Sequence, residues 1–435
     1  MQLSLISFGQ SFSNNPTSYY GFGQLNKTSN AIYSALGNNS INFVDSTQLN
    51  TNNPASYSYL SKGNTLFFLG ASGRVSNYIS GNGLESVTRS NFLLDQYALG
   101  FKVINGLGMT MGLRPFAQKG YSISENFFTG MDSLEFTYEG IGGLHEVFYG
   151  IGYMPLRTSR MNISVGANLG YVFGKTSNSR QSRLISNAFP YGESMESLRL
   201  NALNIEVSSN LDLIISKSQK LMISSSYSPN NLPYNLKSID ILSSVALGTN
   251  GRPTYQILNA DTNKMNYALS KFTVGFNYSI TLPKWRIQNK ELQPQLDILA
   301  SYSRTESALR HEVLVQKNLD LNVDSYHFGV QFKPEKNLFE NASVLTLPER
   351  ITYRVGAYSN YTQINSVQYS DYGITFGFGL PTLIQRSLSS VNVSFQLGKN
   401  TRENQGIKEL YGAIQLGIVF APSSFEKWFI KRKLD

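Results

Sequence analysis

From Ile163 to Phe173 apolar residues fall on alternate positions: Ile163, Val165, Ala167, Leu169, Tyr171 and Phe173 are interleaved with Ser164, Gly166, Asn168, Gly170 and Val172. A period of two marks a strand whose two faces meet different surroundings. The pattern recurs from about residue 64 to residue 420. It returns in Leu203, Ile205, Val207, Leu211 and Leu213, in Phe272, Val274, Phe276, Tyr278 and Ile280, and in Ile351, Tyr353, Val355 and Ala357. Tyr372 to Phe378, Val391 to Leu397 and Leu410 to Phe420 repeat it. Each segment has about 9 to 12 residues, enough for a tilted strand to cross a bilayer. Strands of soluble sandwiches average nearer 5 or 6.

The second face identifies the surroundings. Water-facing sheets carry Lys and Glu there, whereas these segments carry mostly Gly, Ser, Thr and Asn. The expected fold is therefore all-β: a transmembrane antiparallel up-and-down barrel of about 14 strands, an even number. Closure is required because hydrocarbon leaves no backbone polar group a partner outside the sheet. Tyr171, Phe173, Tyr353 and Tyr361 are expected at strand ends, as interfacial aromatic girdles. The polar stretches around 175–195, 229–265 and 304–320 read as extracellular loops, and Asn105-Gly106 as a short periplasmic turn.

Composition narrows the classes. Charged residues make up 15%, Tyr and Phe number 26 each, Gly 36, and Cys is absent. Ordinary globular domains are about 25% charged, so a large soluble all-β protein fits less well than a barrel. No apolar run is long enough for a spanning helix. The net charge of +9 is scattered outside the tail Lys427 to Lys433, which argues against nucleic-acid binding.

Four regions follow. Residues 1–10 read as the remnant of a signal peptide, 11–63 as an N-terminal hatch or plug, 64–420 as the barrel, and 421–435 as a basic-aromatic periplasmic tail. The second region does not alternate. It runs through Pro16-Thr17-Ser18-Tyr19-Tyr20-Gly21-Phe22-Gly23-Gln24-Leu25, a small-residue stretch with Ala31, Ala35 and Gly37, and Asn52-Asn53-Pro54-Ala55-Ser56. A non-strand segment of this length ahead of a barrel fits the lumen. With Asn53-Pro54-Ala55 just before the first strand, and Gly142-Gly143-Leu144 leading to Tyr171-Val172-Phe173-Gly174, the chain resembles the FadL-like outer-membrane family, the long-chain fatty-acid transporter type. The resemblance implies a 14-stranded barrel with an N-terminal hatch, placed in a Gram-negative outer membrane. It also implies a ligand or hatch role for Tyr20, Phe22, Leu25, Asn53 and Pro54. The last strand departs from a terminal aromatic ending, because Ala421 to Asp435 follow Phe420.

No chemistry of an enzyme stands out. His145, His311 and His327 lie in separate segments, and no nucleophile elbow or phosphate loop is present. Neither a cofactor nor a metal site is expected, and catalytic residues are expected to be none. Glu206, Asp212 and Arg354 read as lumenal charges that pair across the barrel. Two functions remain: passive uptake of a small hydrophobic or amphipathic molecule through a hatch-gated lumen, or a non-transporting scaffold or accessory subunit of an outer-membrane secretion or assembly machine. Expected partners are outer-membrane lipid and either a hydrophobic small-molecule ligand or an outer-membrane protein, with no nucleic acid. A lateral opening would favour uptake and needs a kink; Gly112-Leu113-Arg114-Pro115 and Thr281-Leu282-Pro283 are the candidates, because Pro removes a ladder donor.

Overall fold

In the computed structural model, fourteen antiparallel strands close into one barrel. The structure describes residues 16–25, 30–61, 65–79, 86–128, 130, 133–184, 191–229, 234–247, 253–287, 290–311, 318–336, 338, 345–382, 389–402 and 408–421. The signal-peptide reading of 1–10 and the basic tail beyond Ala421 lie outside them. The barrel strands are β1 (Thr65–Ile79), β2 (Ser86–Ile104), β3 (Leu107–Phe128), β4 (Ser133–Arg157), β5 (Met161–Leu184) and β6 (Tyr191–Ile214). Strand β7 is interrupted: Gln219–Ser228 and, beyond Pro229, Tyr234–Leu247 follow one another along the same edge of β6. Then come β8 (Pro253–Thr281), β9 (Gln295–His311), β10 (Leu319–Lys333), β11 (Thr352–Ile364), β12 (Val367–Pro381), β13 (Ser390–Arg402) and β14 (Lys408–Phe420). The ring closes where β14 pairs β1, from Phe420 opposite Phe67 to Lys408 opposite Ile79.

Burial is inverted relative to a water-soluble protein. On β5, Val165, Leu169 and Tyr171 are exposed while Ser164, Asn168 and Val172 are fully covered. Ile414, Leu416, Phe376, Phe378, Phe276 and Val355 continue the exposed apolar band around the outside. Such an area of apolar side chains is stable only against lipid.

The strands are longer than their apolar patterns. Residues 175–184 and 191–195, read as loop, are continuations of β5 and β6, and 304–311 continues β9. Of 229–265, Tyr234–Leu247 and 253–265 are paired strand. Strand β8 has 29 residues and β4 has 25, against 13 in β11, β13 and β14. The sequence reading missed these extensions because above the lipid both faces of a sheet are polar and the period disappears. The barrel thus has a high wall on the β3–β8 side and a low wall opposite. Tight turns join strands at both ends: Asn105-Gly106 links β2 to β3 with Gly106 at φ +81°, and Asn365 at φ +52° links β11 to β12.

Candidate functional site

The N-terminal segment lies inside the ring, in two parts. Residues 30–61 fill the end where β1 begins and β14 ends, here called the terminal end. Asn30 caps a short helix, Ala31–Ala35, by accepting from the Ile32 N–H at 2.9 Å. Asn53 and Pro54 start a 3-10 helix, Pro54–Tyr59, Pro54 contributing no donor to a turn that needs none there. Almost every side chain of both helices is buried.

The wall accepts this backbone at van der Waals contact on two opposite sides. A Cβ added at Gly108 would sit 1.9 Å from the Tyr57 carbonyl oxygen, and one at Gly166 would sit 2.3 Å from the Pro54 carbonyl carbon. On the opposite wall a Cβ on Gly356 would meet the Gly37 nitrogen at 2.2 Å. These glycines are a steric condition for the segment to enter the lumen at all.

Hydrogen bonds complete the seat. Asn53, fully buried, donates to the Ile41 carbonyl (2.6 Å) and to Asn210 Oδ1 (2.8 Å), and accepts from Ser208 Oγ (2.9 Å). The Ala55 N–H donates to Ser208 Oγ at 2.8 Å. Across the lumen the Gly37 N–H donates to Thr375 Oγ1 (2.9 Å), Thr375 donates to the Ala35 carbonyl (3.0 Å), and His327 Nδ1 lies 2.8 Å from the Gly37 carbonyl. Gln48 donates to Ser390 Oγ (2.8 Å) and Tyr59 to Asp212 Oδ2 (2.8 Å). Lys333 lies 3.3 Å from Asp45. Burial disfavours the ionised Asp45 carboxylate, but the Lys333 ammonium and the Thr47 N–H and hydroxyl outweigh it and hold the carboxyl below its ordinary range.

Tyr20, Phe22 and Leu25 lie higher in the lumen, so the structure does not bring the five expected hatch residues into one site. Gln24–Leu25 pairs antiparallel with the free edge of β3 at Gln118 and Ala117. Phe22 is buried edge-on against Tyr267, their centroids 4.9 Å apart, in an apolar cluster with Leu144, Val172, Leu198, Leu200 and Leu309. Tyr20 is half-buried beside Tyr19. Lys119 fastens this part, its ammonium donating to the carbonyls of Gly21 (2.6 Å) and Tyr19 (3.3 Å) and to Asn178 Oδ1 (2.9 Å).

Between the two parts is a cavity of about 210 Å³. Its wall carries charge: Arg114, Glu146, Glu206 and Lys271, with Gln96 and Asn52 alongside. Arg114 is the centre. It lies 2.7 Å from Glu146 and 3.4 Å from Glu206, and donates to the Thr51 carbonyl (3.0 Å) and Asn52 Oδ1 (3.3 Å). Asn168 donates to the same Thr51 carbonyl (3.1 Å) and accepts from Tyr57 (3.0 Å). Of the expected lumenal charges, Glu206 joins this cluster, Asp212 pairs with Lys220 on the adjacent strand at 2.8 Å, and Arg354 is held by the neutral Gln331 (2.7 Å) and Asn392 (3.0 Å). The pairs thus run along the wall between strands of one side, and Arg354 has an amide cradle in place of a carboxylate. Sequence reasoning missed Arg114, Glu146 and Asn168 as a group; Arg114 stands next to Pro115, in one of the two stretches singled out for a kink.

That stretch is irregular. The β3–β4 register shifts between Pro115 and Ala117, leaving Phe116 as the extra residue. Beside it the wall divides. Strands β2 and β3 pair from Ile104–Leu107 up to Tyr97–Leu113 and no further among the described residues. Above that point β2 continues with β1 alone, to Ser86 opposite Ile79. Strand β3 continues with β4 and with the inner strand Gln24–Leu25. Pro283 lies beyond the end of β8 and causes no such break.

A closed barrel of this size, with an apolar outer band and an N-terminal segment inside, defines a membrane β-barrel of FadL-like fold. The chain belongs to the BamG family, whose model matches residues 1–435. Among solved structures it is similar to the Pseudomonas putida toluene transporter TodX, with a TM-score of 0.54 and 13% identity, covering 91% of this chain and 99% of that chain. It is also similar to the CymD monoaromatic hydrocarbon channel, with a TM-score of 0.50 and 11% identity over 93% of this chain and 99% of that one. No curated protein sequence matches it.

Proposed function

We propose that this barrel is a plugged, non-transporting accessory subunit of an outer-membrane assembly or secretion machine. The observation that carries the reading is the charged cluster of Arg114, Glu146 and Glu206 bonded to Thr51 and Asn52 of the plug. A hydrocarbon entering the cavity would strip water from these groups and offer them nothing, at a cost of several kcal/mol. The plug itself is backbone-to-backbone with the wall at Gly108, Gly166 and Gly356, so moving it means breaking both seats together. Membership of the BamG family, which hints at outer-membrane machinery partners, points the same way.

A second reading, uptake of an amphipathic molecule, is favoured by the divided wall beside the cavity and by the fold shared with hydrocarbon channels. In it, Phe22 and Leu25 would guard the cavity from above and Asn53-Pro54 from below. Native mass spectrometry of the protein gently extracted from its own outer membrane separates the two. A stoichiometric protein partner with no retained small molecule is the expected result. A retained amphipathic molecule and no partner would overturn the first reading in favour of the second.

A further inference from the structure

Among the described residues, strand β2 presents an unpaired edge along Asn91–Leu94, at the level of the lipid. Leu94 lies opposite Ala71, which lies opposite Leu416, and Phe92 lies opposite Gly73, which lies opposite Ile414. Leu416 and Ile414 belong to the exposed apolar band, and Phe92 and Leu94 are themselves 65% and 42% exposed. The split between β2 and β3 therefore begins inside the band and not above it. Along Asn91–Leu94 one side of the strand pairs with β1, while no described residue pairs with the other.

Backbone groups in hydrocarbon cost several kcal/mol each when left without a partner, and acyl chains have neither donors nor acceptors. A strand has both, at the right spacing. The facing edge of β3 already accepts one: Gln24–Leu25 adds to it at Gln118 and Ala117. Among the described residues, the notch therefore has one edge occupied by an added strand and, along Asn91–Leu94, one edge bare.

We infer that the bare edge of β2, Asn91–Leu94, is the docking site for a strand of a second outer-membrane protein, which adds antiparallel or parallel to it and carries apolar residues at alternate, lipid-facing positions. This rests on the accessory-subunit reading and names where the partner binds. Strand addition draws its affinity from main-chain bonds and its specificity from alternate side chains. Here Phe92 and Leu94 are the side chains that the added strand's outward residues would flank.

Hydrogen exchange on the native complex and on the barrel isolated from it tests the inference. The alternate amides of Asn91–Leu94 that point away from β1 are expected to exchange slowly in the complex and to lose that protection in the isolated barrel. Equal protection in both would mean that the chain covers its own edge, and equally fast exchange in both would mean that the edge is bare in the complex; either result overturns the inference. Phe92→Cys and Leu94→Cys, oxidised in intact membranes, supply the register. They are expected to cross-link to cysteines placed two residues apart on one partner strand. Cross-links between two copies of this chain, or to partner positions without that spacing, would overturn it. Native mass spectrometry of the same sample keeps the two ideas apart. A stoichiometric partner with those amides of Asn91–Leu94 unprotected removes the docking site alone, whereas absence of any protein partner removes the accessory reading with it.

Discussion

At the residue scale, Arg114 ties the middle of the plug to the wall. Arg114 neutralises Glu146 and Glu206 while donating to the plug backbone at Thr51. Arg114→Met would leave two carboxylates facing each other in a confined space, and removing one partner of a buried pair typically costs about 3–5 kcal/mol. The expected outcome is a lower midpoint in denaturant-induced loss of heat-modifiable mobility. Adding Glu146→Gln and Glu206→Gln should restore part of it; no recovery would show that Arg114 acts through packing on Phe148 instead. The Gly166→Val variant tests the seat. Valine favours a strand, so the barrel should still close, but its side chain would occupy the space of the Pro54 carbonyl. Limited proteolysis should then cut within residues 50–60, and an uncut chain would refute the seat. Asp45 sets a pH limit. Its carboxyl titrates below its ordinary range when folded, so its contribution is complete above the unfolded value, about 4, and fades as pH falls through the lower, folded value. Protection of the plug from protease should persist through mild acid and weaken only below about pH 4, and Asp45→Asn should abolish that dependence.

At the scale of elements, what could be read from sequence follows from which environment each residue faces. Ser164, Gly166 and Asn168 sit between Val165, Ala167 and Leu169 because lumen and lipid demand opposite chemistry, and the alternation records that contrast directly. Between 175 and 184 both faces of β5 meet polar surroundings, so the strand continues with no trace in the pattern. The plug seats were equally hidden. Gly108 and Gly356 look like ordinary inward strand glycines, and only their contact with Tyr57 and Gly37 gives them a role. Pro115 was the exception, since proline in a ladder announces an irregularity whatever its neighbours are. The height of the wall yields a prediction at this scale. The hairpin formed by the second part of β7 and the start of β8 pairs Leu236 with Met265 at its base, while Gln219–Ser228 pairs β8 independently lower down. Deleting residues 237–264 and joining the ends with a two-residue turn should leave a folded, heat-modifiable barrel. Failure to assemble would mean that the high wall is needed for closure.

For the molecule as a whole, the contacts of the plug constrain how the barrel can be made. Residues 30–61 precede every barrel strand in the chain, yet they bond to strands in its middle and near its end: Asn53 and Ala55 to β6, Ala35 and Gly37 to β12, Gln48 to Ser390 at the start of β13. The last pair, β14 with β1, joins residues separated by almost the entire sequence. A finished ring would leave the plug to thread into a space already lined by its binding partners, with Gly108 and Gly356 allowing no slack. The sheet is better wrapped around the segment than filled by it afterwards. On that view the plug is a mandrel: it gives the early strands a surface on which to curl, and tells the late ones where the ring must end.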